Sequence, residues 1–184
     1  KLPHLSLYHM IKTDIAPHNY GKNSTEAKNP FMFMDSLIGN IISLLKEKQI
    51  WHSTTIIISG DHGFRNYEKQ LSLNRFFEDC GWLEINNGKI TSWKVSALAS
   101  GGSAFVGLKD PGNEMFRNKV RITLSKQEGF EMLESRHKES IFWPSKRTDF
   151  LLIANEDYAF VQSLDQPYFK EQLGGTHGGD PRKR

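Results

Sequence analysis

Ser53-Thr54-Thr55-Ile56-Ile57-Ile58-Ser59-Gly60-Asp61-His62-Gly63 is the stretch whose reading decides the fold. Residues 53 to 59 are β-branched or small, and the centre is wholly apolar. A short run without polar alternation predicts a strand buried on both faces, as in the middle of a parallel sheet. It ends in an adjacent Asp–His pair between glycines. Ligands of open α/β sheets bind beyond the carboxyl ends of the strands. Flanking glycines let the backbone turn sharply enough for both side chains to aim at one point.

Working outward, Phe33 to Lys48 places apolar residues at Phe33, Leu37, Ile38, Ile41, Ile42, Leu44 and Leu45, the spacing of an amphipathic helix, with Lys46 and Lys48 suited to its last turn. Before it, Leu5 to Ile11 reads as a strand, followed by a loop marked by Pro17 and Gly21 and a polar stretch ending at Asn29-Pro30. Strand, loop, helix, strand is a βαβ unit. The expected fold class is α/β, with a mostly parallel central sheet flanked by helices. Residues 67–95 read as a cap insertion: a short helix from Ser72 to Cys80 closed by Gly81, then a hairpin turning at Asn86-Asn87-Gly88. Further expectations are strands at Ala104–Leu108, Phe150–Ile153 and Tyr158–Val161, a helix at Gln127–His137, and a glycine-rich loop at Leu173–Gly179. No internal repeat is present.

Three elements carry chemistry. Asp61 and His62 offer a carboxylate oxygen and an imidazole nitrogen, both of which bind zinc at about 2.0–2.2 Å. Asp14 and His18 stand four residues apart, a spacing that brings two side chains onto one face of a helical turn; Pro17 requires the first turn of a helix or a loop. His177 sits among Gly174, Gly175, Gly178 and Gly179, a segment that needs a reason to be ordered. Taken singly, a solvated Asp–His pair or a flexible polar linker explains each element as well as a ligand role does.

Taken together, their order and spacing resemble the alkaline-phosphatase superfamily, in particular its nucleotide pyrophosphatase/phosphodiesterase group. The matching residues are Asp14 with His18, Ser59-Gly60-Asp61-His62-Gly63 and Gly175-Thr176-His177-Gly178, with weaker matches at Ser72–Phe77 with Gly81–Leu83, Ser100–Val106, and Arg147–Asp149 with Asp157–Tyr158. Gly60 is one residue more than the family spacing. The resemblance implies a two-zinc phosphoester hydrolase. Asp14, His18 and His177 would hold one cation; Asp61 and His62 would hold the other. The family also uses an Asp and a Thr or Ser nucleophile from an N-terminal half, so the nucleophile is expected upstream of Lys1. The chain then reads as the C-terminal portion of a catalytic domain, inactive when isolated. A sulfatase, a phosphonate hydrolase or a non-catalytic metal- or phosphate-binding module are the alternatives.

Composition fits this reading. The 184 residues are 38% hydrophobic and 24% charged, with a net charge of +3. That balance belongs to a globular chain that tolerates anionic substrates, without the basic surface of a stable nucleic-acid complex; a phosphorylated small-molecule substrate is what the resemblance implies. The basic cluster Pro181–Arg184 reads as a solvated end. Cys80 is the single cysteine, which excludes an internal disulfide and a cysteine-based zinc site. No apolar run approaches the ~20 residues of a membrane span. The resemblance alone favours an extracellular or periplasmic location. His4, His9, His52 and His137 read as ordinary histidines. Lys12, Thr13, Arg65 and Asn66 read as solvated loop residues, with substrate contact the alternative for Arg65 and Asn66, and Tyr20 either stacks on a nucleobase or fills the loop.

Overall fold

The computed structural model describes residues 3–134 and 147–180. His137 and the cluster Pro181–Arg184 lie outside them. Two helices come first, α1 (Lys12–Tyr20) and α2 (Thr25–Glu47), then a 3-10 turn at Trp51–Ser53. The strands start only at β1 (Arg65–Leu71), followed by α3 (Leu73–Asp79), β2 (Leu83–Asn86), β3 (Lys89–Trp93), β4 (Val95–Ser100), β5 (Ser103–Leu108), α4 (Glu114–Leu124), β6 (Phe130–Glu134), β7 (Phe150–Ala154), β8 (Tyr158–Phe160) and β9 (Phe169–Thr176).

The α/β class expected from the sequence is present. A four-stranded sheet runs β4-β5-β7-β6, a three-stranded sheet β8-β1-β9, and β2 and β3 form a hairpin. Parallel pairing occurs between β1 and β8; the other described pairs are antiparallel. The two segments expected as parallel strands, residues 5–11 and 53–59, form no strand. No described strand lies beside either of them, and a β-segment without a neighbour cannot satisfy its backbone N–H and C=O groups in a ladder.

The core lies where α3, α4 and the four-stranded sheet meet β1 and β8. Phe77, Val95, Val106, Val120, Leu124, Phe150 and Leu152 are fully buried there. Two polar devices fix the layers. Asn74 of α3 donates to Ala97 O (2.9 Å) and accepts from Ala97 N (2.8 Å), which ties the helix to β4. Asp149 accepts from Leu108 N (2.9 Å) and pairs with Arg117 of α4 at 2.6 Å, so its buried charge is matched on both oxygens.

Several local readings change. Residues 12 to 20 are helical rather than a loop, with Pro17 inside and Gly21 at the end. The helix expected from Phe33 starts at Thr25, because Ser24 Oγ accepts from Ala27 N (3.0 Å) and caps it. The helix expected at 127–137 is strand β6 over Phe130–Glu134, paired in register with β7. The glycine-rich segment before His177 is the end of β9, paired with β1 at Arg65↔Thr176, Asn66↔Gly175 and Tyr67↔Gly174. Its glycines serve close approach rather than flexibility: a Cβ on Gly175 would stand 2.3 Å from Pro17 O. The sheets are joined at Gly101–Gly102. Phe160 N donates to Gly101 O (2.7 Å), Ala154 N to Gly102 O (2.9 Å) and Gly102 N to His177 O (2.6 Å). This junction holds the last sequence-predicted ligand in place.

Candidate metal centre

α1 supplies the first two groups. Its helical geometry puts Asp14 and His18 on one face, with His18 Nε2 3.7 Å from Asp14 Oδ1. His18 Nδ1 is 3.0 Å from Gly175 O. A carbonyl only accepts, so Nδ1 carries the proton and donates, leaving the Nε2 lone pair free. β9 then delivers His177. One ligand atom each from Asp14, His18 and His177 lies within 4.8 Å of the others.

His62 joins this group from the loop before β1. Its Nε2 is 3.7 Å from Asp14 Oδ1 and 3.5 Å from Asp61 Oδ2, and its ring stacks on His177 at a centroid distance of 3.7 Å. Asp61 stands at the rim with its side chain 84% exposed. Of the five residues singled out in the sequence, four therefore converge and Asp61 borders them.

The donor set fits a divalent cation. Asp14 Oδ1 is buried and has no hydrogen-bond partner. Both imidazole nitrogens beside it stand at 3.7 Å, beyond hydrogen bonding. The His18–Asp14 separation is close to the ~3.3–3.6 Å expected between two ligand atoms on a tetrahedral zinc with bonds of about 2.0–2.2 Å. One carboxylate and several imidazoles suit zinc and related metals.

The electrostatics favour the forms that bind metal. Burial lowers the pKa of His177, and the charges of His62 and His18 add to the effect against the opposing pull of Asp14 and Asp61. Asp61 is held below its ordinary value, first by a hydrogen bond from its own backbone N–H, then by His62 and His9, against a smaller cost of burial.

A family model for type I phosphodiesterase/nucleotide pyrophosphatase matches residues 1–180. The chain belongs to that family. No curated protein matches the chain. Among solved structures, human ectonucleotide pyrophosphatase/phosphodiesterase 5 is similar at 18% identity and TM-score 0.65, over 91% of this chain and 41% of its own. An inactive variant of the murine protein in complex with AMP is similar at 15% identity and TM-score 0.63, with the same coverage. Phosphonoacetate hydrolase from Sinorhizobium meliloti 1021, in complex with phosphonoformate, follows at 15% identity and TM-score 0.52, over 93% of this chain and 47% of its own. The chain thus spans less than half the length of these structures. At such identities they show the fold, which is that of the alkaline-phosphatase superfamily, and an incomplete domain of it. No helix among the described residues is long and apolar enough to cross a membrane.

Within this phosphodiesterase-family chain, sequence reasoning passed over three residues at the site. Arg65, taken as a solvated loop residue, donates to the carbonyls of Asn155 (2.9 Å), Tyr158 (2.8 Å), Ala154 (3.5 Å) and Glu156. It clamps the turn between β7 and β8 to the start of β1. Asn66, read the same way, accepts from Lys22 N at 2.8 Å and fastens the α1–α2 junction. Phe64 lies against three imidazoles. An apolar residue directly after the Asp-His-Gly triplet was the available signal.

Proposed function

We propose that the intact protein hydrolyses phosphoric esters or anhydrides of small molecules, nucleotides among them, and that this chain provides five ligands to its two divalent cations. Asp14, His18 and His177 would hold one; Asp61 and His62 would hold the other. Zinc is the metal this donor chemistry favours. The observation that carries the reading is the meeting of Asp14 and His18 from α1 with His177 after β9, beside a buried carboxylate oxygen that has no partner.

The residues have separable tasks. His18 presents Nε2 because Nδ1 is committed to Gly175 O. Burial, and then the charges of His62 and His18, disfavour the protonated ring of His177, which favours a lone pair available to a metal. Asp14 and Asp61 bring negative charge that offsets part of the cationic charge and leaves a net attraction for phosphate. The cations supply Lewis-acid polarisation of a phosphoryl oxygen and acidify a nucleophilic hydroxyl. That hydroxyl, a Thr or Ser, and one further Asp belong to a segment upstream of Lys1, with the hairpin in 67–95 as a cap. The site is extracytoplasmic in the same reading, as the name of the mammalian neighbours suggests.

The test is zinc binding and turnover measured together. The 184-residue chain is expected to bind zinc and to leave a nitrophenyl phosphodiester untouched. Asp14→Asn, which keeps shape and removes charge, is expected to weaken zinc binding at least about a hundredfold. Unchanged binding in that variant overturns the ligand assignment, and clear turnover by the chain overturns the need for an upstream nucleophile. The likeness to phosphonoacetate hydrolase motivates a second reading, phosphonate cleavage. A longer protein containing this chain that releases phosphate from phosphonoacetate, and not from a nucleotide, would establish it.

A further inference from the structure

Three imidazoles from three separate segments line one shared pocket, and one of those segments has no regular structure. His18 is held by α1 and by its bond to Gly175 O; His177 is held by β9 and by Gly102. His62 has no such frame. It lies in the loop between the 3-10 turn and β1, and its Nδ1 is 3.3 Å from the carbonyl of the next residue, Gly63. An imidazole on a free loop samples several rotamers, and each one lost on binding metal lowers affinity.

Phe64 is placed to remove that freedom. Its ring centroid is 4.9 Å from that of His18, 5.5 Å from His62 and 5.5 Å from His177, at interplanar angles of 79°, 63° and 84°. All three contacts are edge-to-face, the arrangement aromatic rings favour. The benzyl group also reaches the backbone of β9: a Cβ on Gly175 would meet Phe64 Cδ1 at 3.4 Å. Its own backbone is fixed from the next residue on, because Arg65 starts β1 and is fastened to the β7–β8 turn. The ring is thus braced from below by the sheet, and it touches every histidine of the cluster.

We propose that Phe64 is a positioning residue that sets the mutual geometry of His18, His62 and His177 for metal binding. This rests on the reading of the cluster as a metal site. Phe64 holds the rings through its flat aromatic face and edge, so apolar bulk alone does not replace it.

The experiment compares the protein with its Phe64→Leu and Phe64→Tyr variants. Zinc affinity is measured by competition with a chromophoric chelator, cobalt binding by its visible absorption, and metal-free stability by thermal melting. Phe64→Leu is expected to bind zinc about 10–100-fold more weakly, the range for groups that orient ligands. Its cobalt spectrum should shift, and its metal-free melting point should stay near that of the parent. Phe64→Tyr should restore affinity and spectrum. The inference is overturned if Phe64→Leu matches the parent in affinity and spectrum, if the affinity loss comes with a matching loss of metal-free stability, or if Phe64→Tyr fails to restore binding. A parent protein that binds neither zinc nor cobalt removes the metal reading itself, a result distinct from the other three.

Discussion

Residues 3–63 and the described residues from 65 to 180 are both rich in apolar side chains, and they use them in opposite ways. After position 64 those side chains build one core, from Leu71 through Phe77, Val106 and Leu124 to Phe160. Before it, only Pro17, Gly21 and Ala27 are buried among the described residues. Leu7 and Ile57 are each 85% exposed, and Phe31, Met32 and Phe33 of α2 also face outward. Each such side chain forgoes about 1.5–3 kcal/mol that burial would contribute. An apolar β-branched run specifies a strand only when neighbours supply the ladder and cover both faces. The second region contains its neighbours; among the described residues the first has none. The candidate metal centre sits on the seam: Asp14, His18 and His62 come from the first region, His177 from the second.

The sharpest way to break this contrast is to truncate one side chain on each side. Phe77→Ala is expected to cost about 3–5 kcal/mol, as for a fully buried aromatic residue. Ile57→Ala is expected to stay within about 0.5 kcal/mol. Urea unfolding of the two variants measures both values, and equal losses would mean that residues 53–59 are packed after all.

A second test moves to the joint between the regions. Gly101 has φ +62°, and a Cβ there would stand 2.1 Å from Thr176 Oγ1 and 2.8 Å from His177 O. Gly101→Ala must therefore shift the end of β9. An expected loss of about 2–3 kcal/mol combines backbone strain with displacement of the packed strand. Zinc binding should weaken alongside it, because His177 moves with β9. Stability lost with zinc affinity intact would separate the joint from the site.

Arg65→Gln is a smaller perturbation on the same seam. It removes the charged donors that hold the β7–β8 turn, at an expected cost of about 1–2 kcal/mol in unfolding free energy. Met115, 83% exposed, offers a control: Met115→Ala should change nothing measurable.

These contrasts explain which features were legible in the sequence. The Asn86-Asn87-Gly88 turn, α3 with its closing Gly81, β5 and β7 were readable because their signals are local: a turn dipeptide, a terminator, a compact apolar run. The helix α4 was missed although Asn113 caps it and Phe116, Val120 and Leu124 recur every fourth residue. β9 was misread because glycine signals a loop locally, whereas here close approach to Pro17 and Tyr67 demands it. At the site, residue types and spacing pointed to Asp14, His18, Asp61, His62 and His177. The roles of Phe64 and Arg65 depend on partners far along the chain, from His18 to His177, which no local pattern encodes.

The smallest effect concerns the one imidazole that the second region contributes. The folded protein holds the pKa of His177 below its ordinary 6.5, chiefly through burial and then through His62 and His18; Asp14 from α1 and Asp61 from the loop pull the other way. Well above pH 6.5 the ring is neutral both folded and unfolded, so stability does not depend on it. As pH falls below that value, the unfolded chain takes up a proton that the folded chain still refuses, and stability declines until the folded pKa is passed. Solvent around this partly exposed ring keeps the effect under about 0.5 kcal/mol. Metal-free unfolding curves between pH 7.5 and 5 should therefore show a slightly shallower acid slope for His177→Gln than for the parent. Protons compete with metal for the same nitrogen, so zinc affinity should fall over that window in the parent as well. A His177→Gln variant with a steeper slope than the parent would mean that the folded state welcomes charge at this position, and that the stacked arrangement with His62 is wrong.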